Sequence, residues 1–312
     1  MTGETATDQW VGPGARTAFQ DDLRGAGHVV PTGMPGVVGR GEDFEAVVAG
    51  LSRALRARQP DGIRPLRVSF PPVVPQSVFE HTDYVSSFPQ LIGSLRVFAG
   101  YNTQHASLLA ARESGEEWTE LLSPSHLMMV SAACHPIYGT LAGQTLTGDL
   151  RFDTVGSCFR HEPSPDPARL VSFRMHEQVF VGSPDGAVAH RDDWLARVTD
   201  LLGTLGLMVN VDVANDPFFG RAGRILAVGQ REETLKFEIL VDIFDDEPTA
   251  IASGNAHRDH FGGNFEITLA DGGVAHSSCF GLGLERTTLA LLRRHGLQVA
   301  SWPSGVRGQL AL

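Results

Sequence analysis

The sequence predicts an α+β fold, a mainly antiparallel sheet flanked by helices, and three observations point to it. Two apolar segments, 155–160 and 170–181, flank a loop that holds three prolines, the pattern of an antiparallel hairpin with a long tip. Stripes of apolar residues at helical spacing cover 42–58 (Phe44, Val47, Val48, Leu51, Leu55) and 190–207 (Trp194, Val198, Leu201, Leu202, Leu205). Short alternating segments fill 207–280, and a Gly-rich joint then leads into a last helix.

The chain has 312 residues, enough for one large domain or two ordinary ones, and its 42% hydrophobic content allows a sizeable core. No run has the length of a membrane span. The start, MTGETATDQW, has neither the basic nor the apolar stretch of a signal peptide, so the expected location is cytoplasmic. Cys134, Cys158 and Cys279 do not make a disulfide framework and read as buried thiols or metal ligands. A formal net charge of −11 argues against a broad nucleic-acid surface. Lys236 is the sole lysine; genome composition explains such a bias, and so does a need for one compact point charge.

Residues 1–25 are polar and without period and are expected to form a loose, flexible arm; 26–41 reads as a Gly/Pro-rich loop. The 42–58 helix ends in Arg53, Arg56 and Arg58, which with Arg64 and Arg67 form a basic cluster, either a favourable helix end or a docking patch. Segment 66–74 is a strand stopped by prolines, 76–100 alternates short helix and loop, and 116–122 is a loop or short helix. Ser123-Pro124-Ser125 reads as a helix start leading into 126–134. Gly206 ends the second long helix, 207–214 is a strand, and 215–221 is a turn with an aromatic pair. Lys236 and Glu238 leave one face of the strand at 234–244, and Ser253, Asn255 and His257 share a face of 248–257. A further short strand falls at 265–268. The joint Gly281-Leu282-Gly283 opens a helix from about Glu285. Arg286 lies in its first turn, where the helix dipole disfavours a cation, so an anionic partner is suggested; a plain Gly-eased joint fits equally.

The hairpin carries the chemistry. Arg160 and Glu162 are two apart and leave one face, and Phe173 is an apolar surface on the returning strand. An Arg fork suits phosphate, an aromatic face suits a base, and a carboxylate suits an amine or a metal. On its own the hairpin fits a nucleotide site and a solvated charged surface equally.

The order of these pieces resembles class II aminoacyl-tRNA synthetases. FRHE with Phe173 is similar to their motif 2, and GLGLERTTLALL to their motif 3. Within that class the chain resembles the core of the zinc-containing archaeal seryl-tRNA synthetases, and more closely the amino acid:[carrier protein] ligases. That closer likeness runs through SAACHPIYG, FRHEPSPDPARLVSFRMHE, NDPFFGR, LKFEIL and SSCFGLGLERTTLALL. A tRNA-binding coiled coil and an anticodon-binding domain are not expected, and 26–312 is expected to be a single class II-like catalytic domain. The resemblance implies ATP-dependent activation of a small amino acid, glycine or alanine in preference, and its transfer to the phosphopantetheine thiol of a carrier protein. It also implies a homodimer paired near 66–72. The rival readings are a stripped synthetase charging tRNA and a non-catalytic binding paralogue.

The resemblance further implies the roles. Arg160 holds the α-phosphate and the substrate carboxylate, Phe173 stacks under adenine with Arg286 above it, and Glu162 meets the adenine amine. Glu238, with Ser253, holds Mg²⁺. Cys134, Glu177 and Cys279 hold Zn²⁺, which reads the substrate amine. Asn255 and His257 supply polar contacts, Lys236 a phosphate or substrate contact, and Cys158 is core. Arg53, Arg56, Arg64 and Arg67 are candidates for carrier docking.

Overall fold

The computed structural model describes residues 14–214, 234–244 and 247–312. The turn read at 215–221, and the NDPFFGR phrase within it, lie outside them. Helix α1 (Gly14–Gly25) leads to a hairpin of β1 (Val29–Met34) and β2 (Val37–Arg40), then to α2 (Glu42–Arg56). There follow β3 (Leu66–Val68), β4 (Val73–Pro75), α3 (Gln76–Glu80), α4 (Tyr84–Ser87), β5 (Ser94–Val97), α5 (Asn102–Ser114) and β6 (Ser123–Met129). Helix α6 (His135–Leu141) and β7 (Thr145–Leu146) precede the long hairpin β8 (Leu150–Phe159) and β9 (Ser172–Gly182). Then come α7 (Pro184–Thr204), β10 (Val209–Val213), β11 (Lys236–Val241), β12 (Thr249–Arg258), α8 (His260–Asn264) and β13 (Thr268–Leu269). Strand β14 (His276–Gly283), α9 (Leu284–His295) and α10 (Ser304–Leu310) complete the order.

The main sheet has the strand order β10-β11-β12-β14-β9-β8-β3. Its neighbours are antiparallel except β3, which lies parallel to β8 at one edge. The α+β class and the antiparallel sheet flanked by helices are therefore as the sequence predicts. Paired residues share a face of a sheet, so register dictates what meets. One transverse row reads Glu238, Ser253, Gly281, Glu177, and the row beside it reads Lys236, Asn255, Cys279. The alternate residues, Phe237, Gly254, Phe280 and Gln178, point to the reverse face. There α7 buries Trp194, Val198, Leu201 and Leu202 and α2 buries Phe44, Val47, Leu51 and Leu55, joined with Phe280 in the largest core cluster. On the front face, Ile137 and Tyr138 of α6 pack with Phe261, Phe152, Val179 and Cys279. That second cluster floors one end of the site.

Three local expectations fail. Residues 14–25 are a helix, not a loose arm: Phe19 and Leu23, four apart, are buried on one side, and Phe19 meets Phe244 edge-on at 6.0 Å. A two-residue stripe in a polar segment leaves little periodic signal, and tertiary burial forms the helix. Residues 29–40 are a hairpin, not a loop: Gly36 (φ 75°) takes the left-handed backbone of its turn, and Gly33 (φ 93°) that of the irregularity in β1. Residues 123–129 are a strand, not a helix start: β6 pairs with both β4 and β5. Proline opens strands as readily as helices, and here neighbouring strands decide.

Behind the sheet, Asp153 is a buried carboxylate joining α2 to the hairpin. It accepts from Arg56 Nε (3.1 Å) and Nη2 (3.0 Å) and from Gln178 Nε2 (2.9 Å), and lies 3.2 Å from His176 Nε2. Burial raises its pKa, but the His176 and Arg56 contacts outweigh that and hold it well below the usual carboxylate range. A depressed carboxyl pKa stabilises the fold above the unfolded value of about 4 and loses that contribution as pH falls below it. Asp153→Asn should therefore cost about 3 kcal/mol at pH 7, with the gap to wild type closing below about pH 4. Urea unfolding at both pH values tests this, and a gap that does not change with pH refutes it.

Candidate active site

The two transverse rows open into a cavity of about 750 Å³. Every side chain that the sequence reading assigns to ATP, amino acid or metal lines it, although these residues come from seven separate segments of the chain. Gly281 sits in the middle of the first row. A Cβ there would lie 2.7 Å from Met175 Cε and 3.5 Å from Glu177 Cγ, so glycine keeps the floor open.

At one end, Cys134 precedes α6, Glu177 points up from β9 and Cys279 from β14. One ligand atom from each lies within 4.8 Å of the others, and all three residues are buried. Glu177 Oε1 accepts from the Ala133 N–H (2.8 Å), while Oε2 is buried without a hydrogen-bond partner. Burial, then the neighbouring Cys279, pushes the Glu177 carboxyl up to about 8. Cys279 is pulled down by a hydrogen bond from Cys134, and Cys134 is raised by the same bond and by burial. Asn255 Nδ2 and His257 Nε2 each lie 3.5 Å from Cys279 Sγ, and His257 Nδ1 is 3.1 Å from Ser277 Oγ. Two cysteine sulfurs and a carboxylate oxygen, all buried and close together, are a donor set that on losing their protons fits a tetrahedral zinc-type ion. Asn255 and His257 are the outer contacts that orient such a ligand.

At the other end, Arg160 Cζ lies 5.4 Å from the centroid of the Phe173 ring, and Arg160 Nε donates to the Ser131 carbonyl (3.3 Å). Arg286, at the start of α9, donates to the carbonyls of Ala168 (2.8 Å) and Ala250 (3.0 Å), which ties the hairpin loop to β12. Its pKa is lowered by burial first and by Arg160 and Arg169 next. Two guanidinium groups thus border one cavity and repel each other, an arrangement that a polyanion relieves. Glu162 lies 3.6 Å from Arg169, and Lys236 Nζ lies 2.9 Å from Glu238 Oε1 at the sheet's far edge of the cavity.

The basic cluster reads differently. Arg53, which is exposed, donates from Nη2 to the Leu310 carbonyl (2.7 Å), and the half-buried Arg56 pairs with Asp153. Arg64 and Arg67 are exposed and lie outside the cavity. Cys158 is buried in the core and plays no part in the cavity lining. Two features escaped the sequence. His135, beside Cys134, lines the cavity with Nδ1 buried and unpartnered, and burial pushes its pKa down to about 3, so it is neutral. Asp83 and His260 pair at 3.0 Å on the cavity wall. The i,i+3 spacing of His135 and Tyr138 was the one available signal for the first; the second joins segments far apart in sequence.

No family model matches the chain. Two proteins of Bradyrhizobium diazoefficiens named amino acid–[acyl-carrier-protein] ligase 1 and 2 are 39% and 40% identical to it over 283 residues. These matches span 90% of this chain and 86% and 84% of theirs. A type-2 serine–tRNA ligase of Methanopyrus kandleri is 25% identical over 213 residues, 64% of this chain and 40% of that one. Among solved structures, M. kandleri seryl-tRNA synthetase in complex with a tRNA superposes with a TM-score of 0.81 at 21% identity, over 99% of this chain and 62% of that one. Pyrococcus horikoshii seryl-tRNA synthetase with ATP gives 0.70 at 15%, over 94% and 62%. The fold is that of the class II synthetase core.

Metal-free protein titrated with Co²⁺ should develop thiolate-to-cobalt absorption, weakened by about half in Cys134→Ser and Cys279→Ser and absent in the double variant. Unchanged absorption in the double variant would remove these cysteines from the site.

Proposed function

The chain belongs to the amino acid–[acyl-carrier-protein] ligase family, a family of ligases, and from that premise we propose how its cavity works. ATP activates a small amino acid as the aminoacyl-adenylate, and the acyl group passes to the phosphopantetheine thiol of a carrier protein. The observation that carries this reading is that the donor triad and the arginine pair line one cavity on one sheet face. Glu177 and Glu238 lie on the same transverse row three strand spacings apart, about 14 Å between backbones. That span accommodates an amino acid laid against a triphosphate.

In the first step a carboxylate oxygen attacks the α-phosphorus and pyrophosphate leaves. The carboxylate is already a nucleophile, so no general base is required, and positioning with charge neutralisation does the work. Arg160 holds the α-phosphate and the carboxylate as charge builds. Phe173 supports the adenine ring, Arg286 covers it and reaches the γ-phosphate, and Glu162 accepts from the adenine amine. Glu238 and Ser253 would hold Mg²⁺ on the phosphates, and Lys236, in the adjacent row, balances Glu238. Cys134, Glu177 and Cys279 would hold Zn²⁺, which when bound supplies a Lewis-acid place for the α-amine. Asn255 and His257 orient Cys279. His135, His257 and Phe261 wall that end with rings, which favours a small side chain such as glycine or alanine. In the second step the thiol gives up its proton, its sulfur bonds to the acyl carbon, and AMP leaves. The open edge at β3, where Leu66 is 54% exposed, supports pairing of two copies through 66–72.

Amino-acid-dependent ATP–pyrophosphate exchange tests the first step. Exchange with one or two small amino acids is expected, lost on zinc removal, and reduced about 100-fold or more in Arg160→Ala. Transfer is tested by thioester formation on carrier protein with and without its phosphopantetheine arm. Labelling of the armed form alone is expected, and charging of tRNA instead would overturn the acceptor.

A further inference from the structure

We propose that Arg40, Glu45, Arg174 and Glu285 together are positioning residues that hold Phe173 as a platform for the nucleobase; this rests on the reading that ATP occupies the cavity. Phe173 is the cavity's aromatic floor at the start of β9; β8 pairs with it there, Cys158 opposite, but on the β14 side sheet pairing has given out. The β14–β9 ladder ends at Gly283–Met175, two residues beyond Phe173 in the chain. On that unpaired side the backbone before and after the ring is held by charged side chains instead. Arg40 Nη2, from β2, donates to the Ser172 carbonyl (2.9 Å). The Arg174 N–H donates to Glu285 Oε2 (2.7 Å), from the first turn of α9. The peptide before Phe173 and the peptide after it are therefore each fixed from a different element.

The side chains then close on one another. Arg174 Nε donates to Glu285 Oε1 (2.7 Å), and its two terminal nitrogens donate to both oxygens of Glu45 on α2 (2.7 and 2.8 Å). Arg40 Nε lies 3.3 Å from the same Glu285 oxygen. Fork-to-carboxylate pairs fix orientation as well as distance. Glu285 also precedes Arg286, so one carboxylate sets the interval between the ring of Phe173 and the guanidinium of Arg286, both of which line the cavity. Neither Arg40 nor Glu45 lines it. If the network only fastened α2 and β2 to the sheet, losing it would lower stability and leave nucleotide affinity alone.

The test is direct ATP binding by calorimetry, without amino acid, on wild type, Arg40→Met, Glu45→Ala and the milder Glu45→Gln, with melting temperatures recorded. Arg197→Ala, which removes the Arg197–Asp193 pair on α7, is the control. Glu45→Ala and Arg40→Met should each weaken ATP binding about tenfold, Glu45→Gln less, and the control not at all, with cobalt absorption at the triad unchanged in every variant. Affinities within twofold of wild type in Glu45→Ala, Glu45→Gln and Arg40→Met would overturn the platform role alone. Wild-type protein that binds no ATP would overturn the ligase reading and the platform with it.

Discussion

Strand register is the constraint on which the site depends. Glu177, Gly281, Ser253 and Glu238 share a face because four antiparallel strands place them directly opposite one another. A one-residue slip in any of these strands would move its contribution to the reverse face, against α2 and α7. Register is in turn secured by what is buried on that reverse side. Phe280 packs under α7, and the Asp153–His176–Gln178 cluster locks β8 to β9 and to the end of α2. Groups that never reach the cavity thereby decide which groups do.

The cavity gathers groups of like charge at each of its ends. At one end a buried carboxylate keeps an unpartnered oxygen beside two thiols. At the other, two guanidinium groups border a common space, and Arg160 adds to the burial that lowers the affinity of Arg286 for its proton. Gathering groups of like charge in a buried space costs stability at each end. Each is also matched in sign to a part of the proposed substrates, a cation and an amine at one end and phosphates at the other. Local cost placed on a rigid sheet is how preorganised sites are built.

Much of this was legible in the sequence, and the failures have physical reasons. The hairpin, both long helices and the faces of β11 and β12 follow from period-2 and period-3.6 patterns, which report burial along a single element. Thus Lys236 with Glu238, and Ser253 with Asn255 and His257, could be grouped from spacing alone. What spacing cannot report is pairing between elements. The gathering of Cys134, Glu177 and Cys279 was foreseen only through family resemblance, since in isolation Cys134 reads as a core thiol. The contacts of Arg53 with the Leu310 carbonyl and of Arg56 with Asp153 were not legible, because those partners are far away in sequence. Helix α1 and strand β6 were misread for the same reason, as neighbours distant in sequence determine both.

The two ends of the cavity differ in how they are held. The triad is carried by paired strands and the approach to α6, where the backbone has little freedom. Arg160 and Glu162 lie past the end of β8, and Phe173 lies at the start of β9, paired with β8 but no longer with β14. A site built wholly on paired strands would be rigid but closed to long substrates. A site built on loops would be open but imprecise. Here the loop end regains order from outside the sheet: Gly36 takes the Val171 N–H at 2.8 Å, Arg286 grips the Ala168 carbonyl, and the Arg40–Glu285–Arg174–Glu45 network brackets Phe173. All of these contacts come from the two termini of the described chain, α1 to α2 and α9. The segments that embrace the sheet therefore do for the arginine end what strand pairing does for the Cys134–Glu177–Cys279 end.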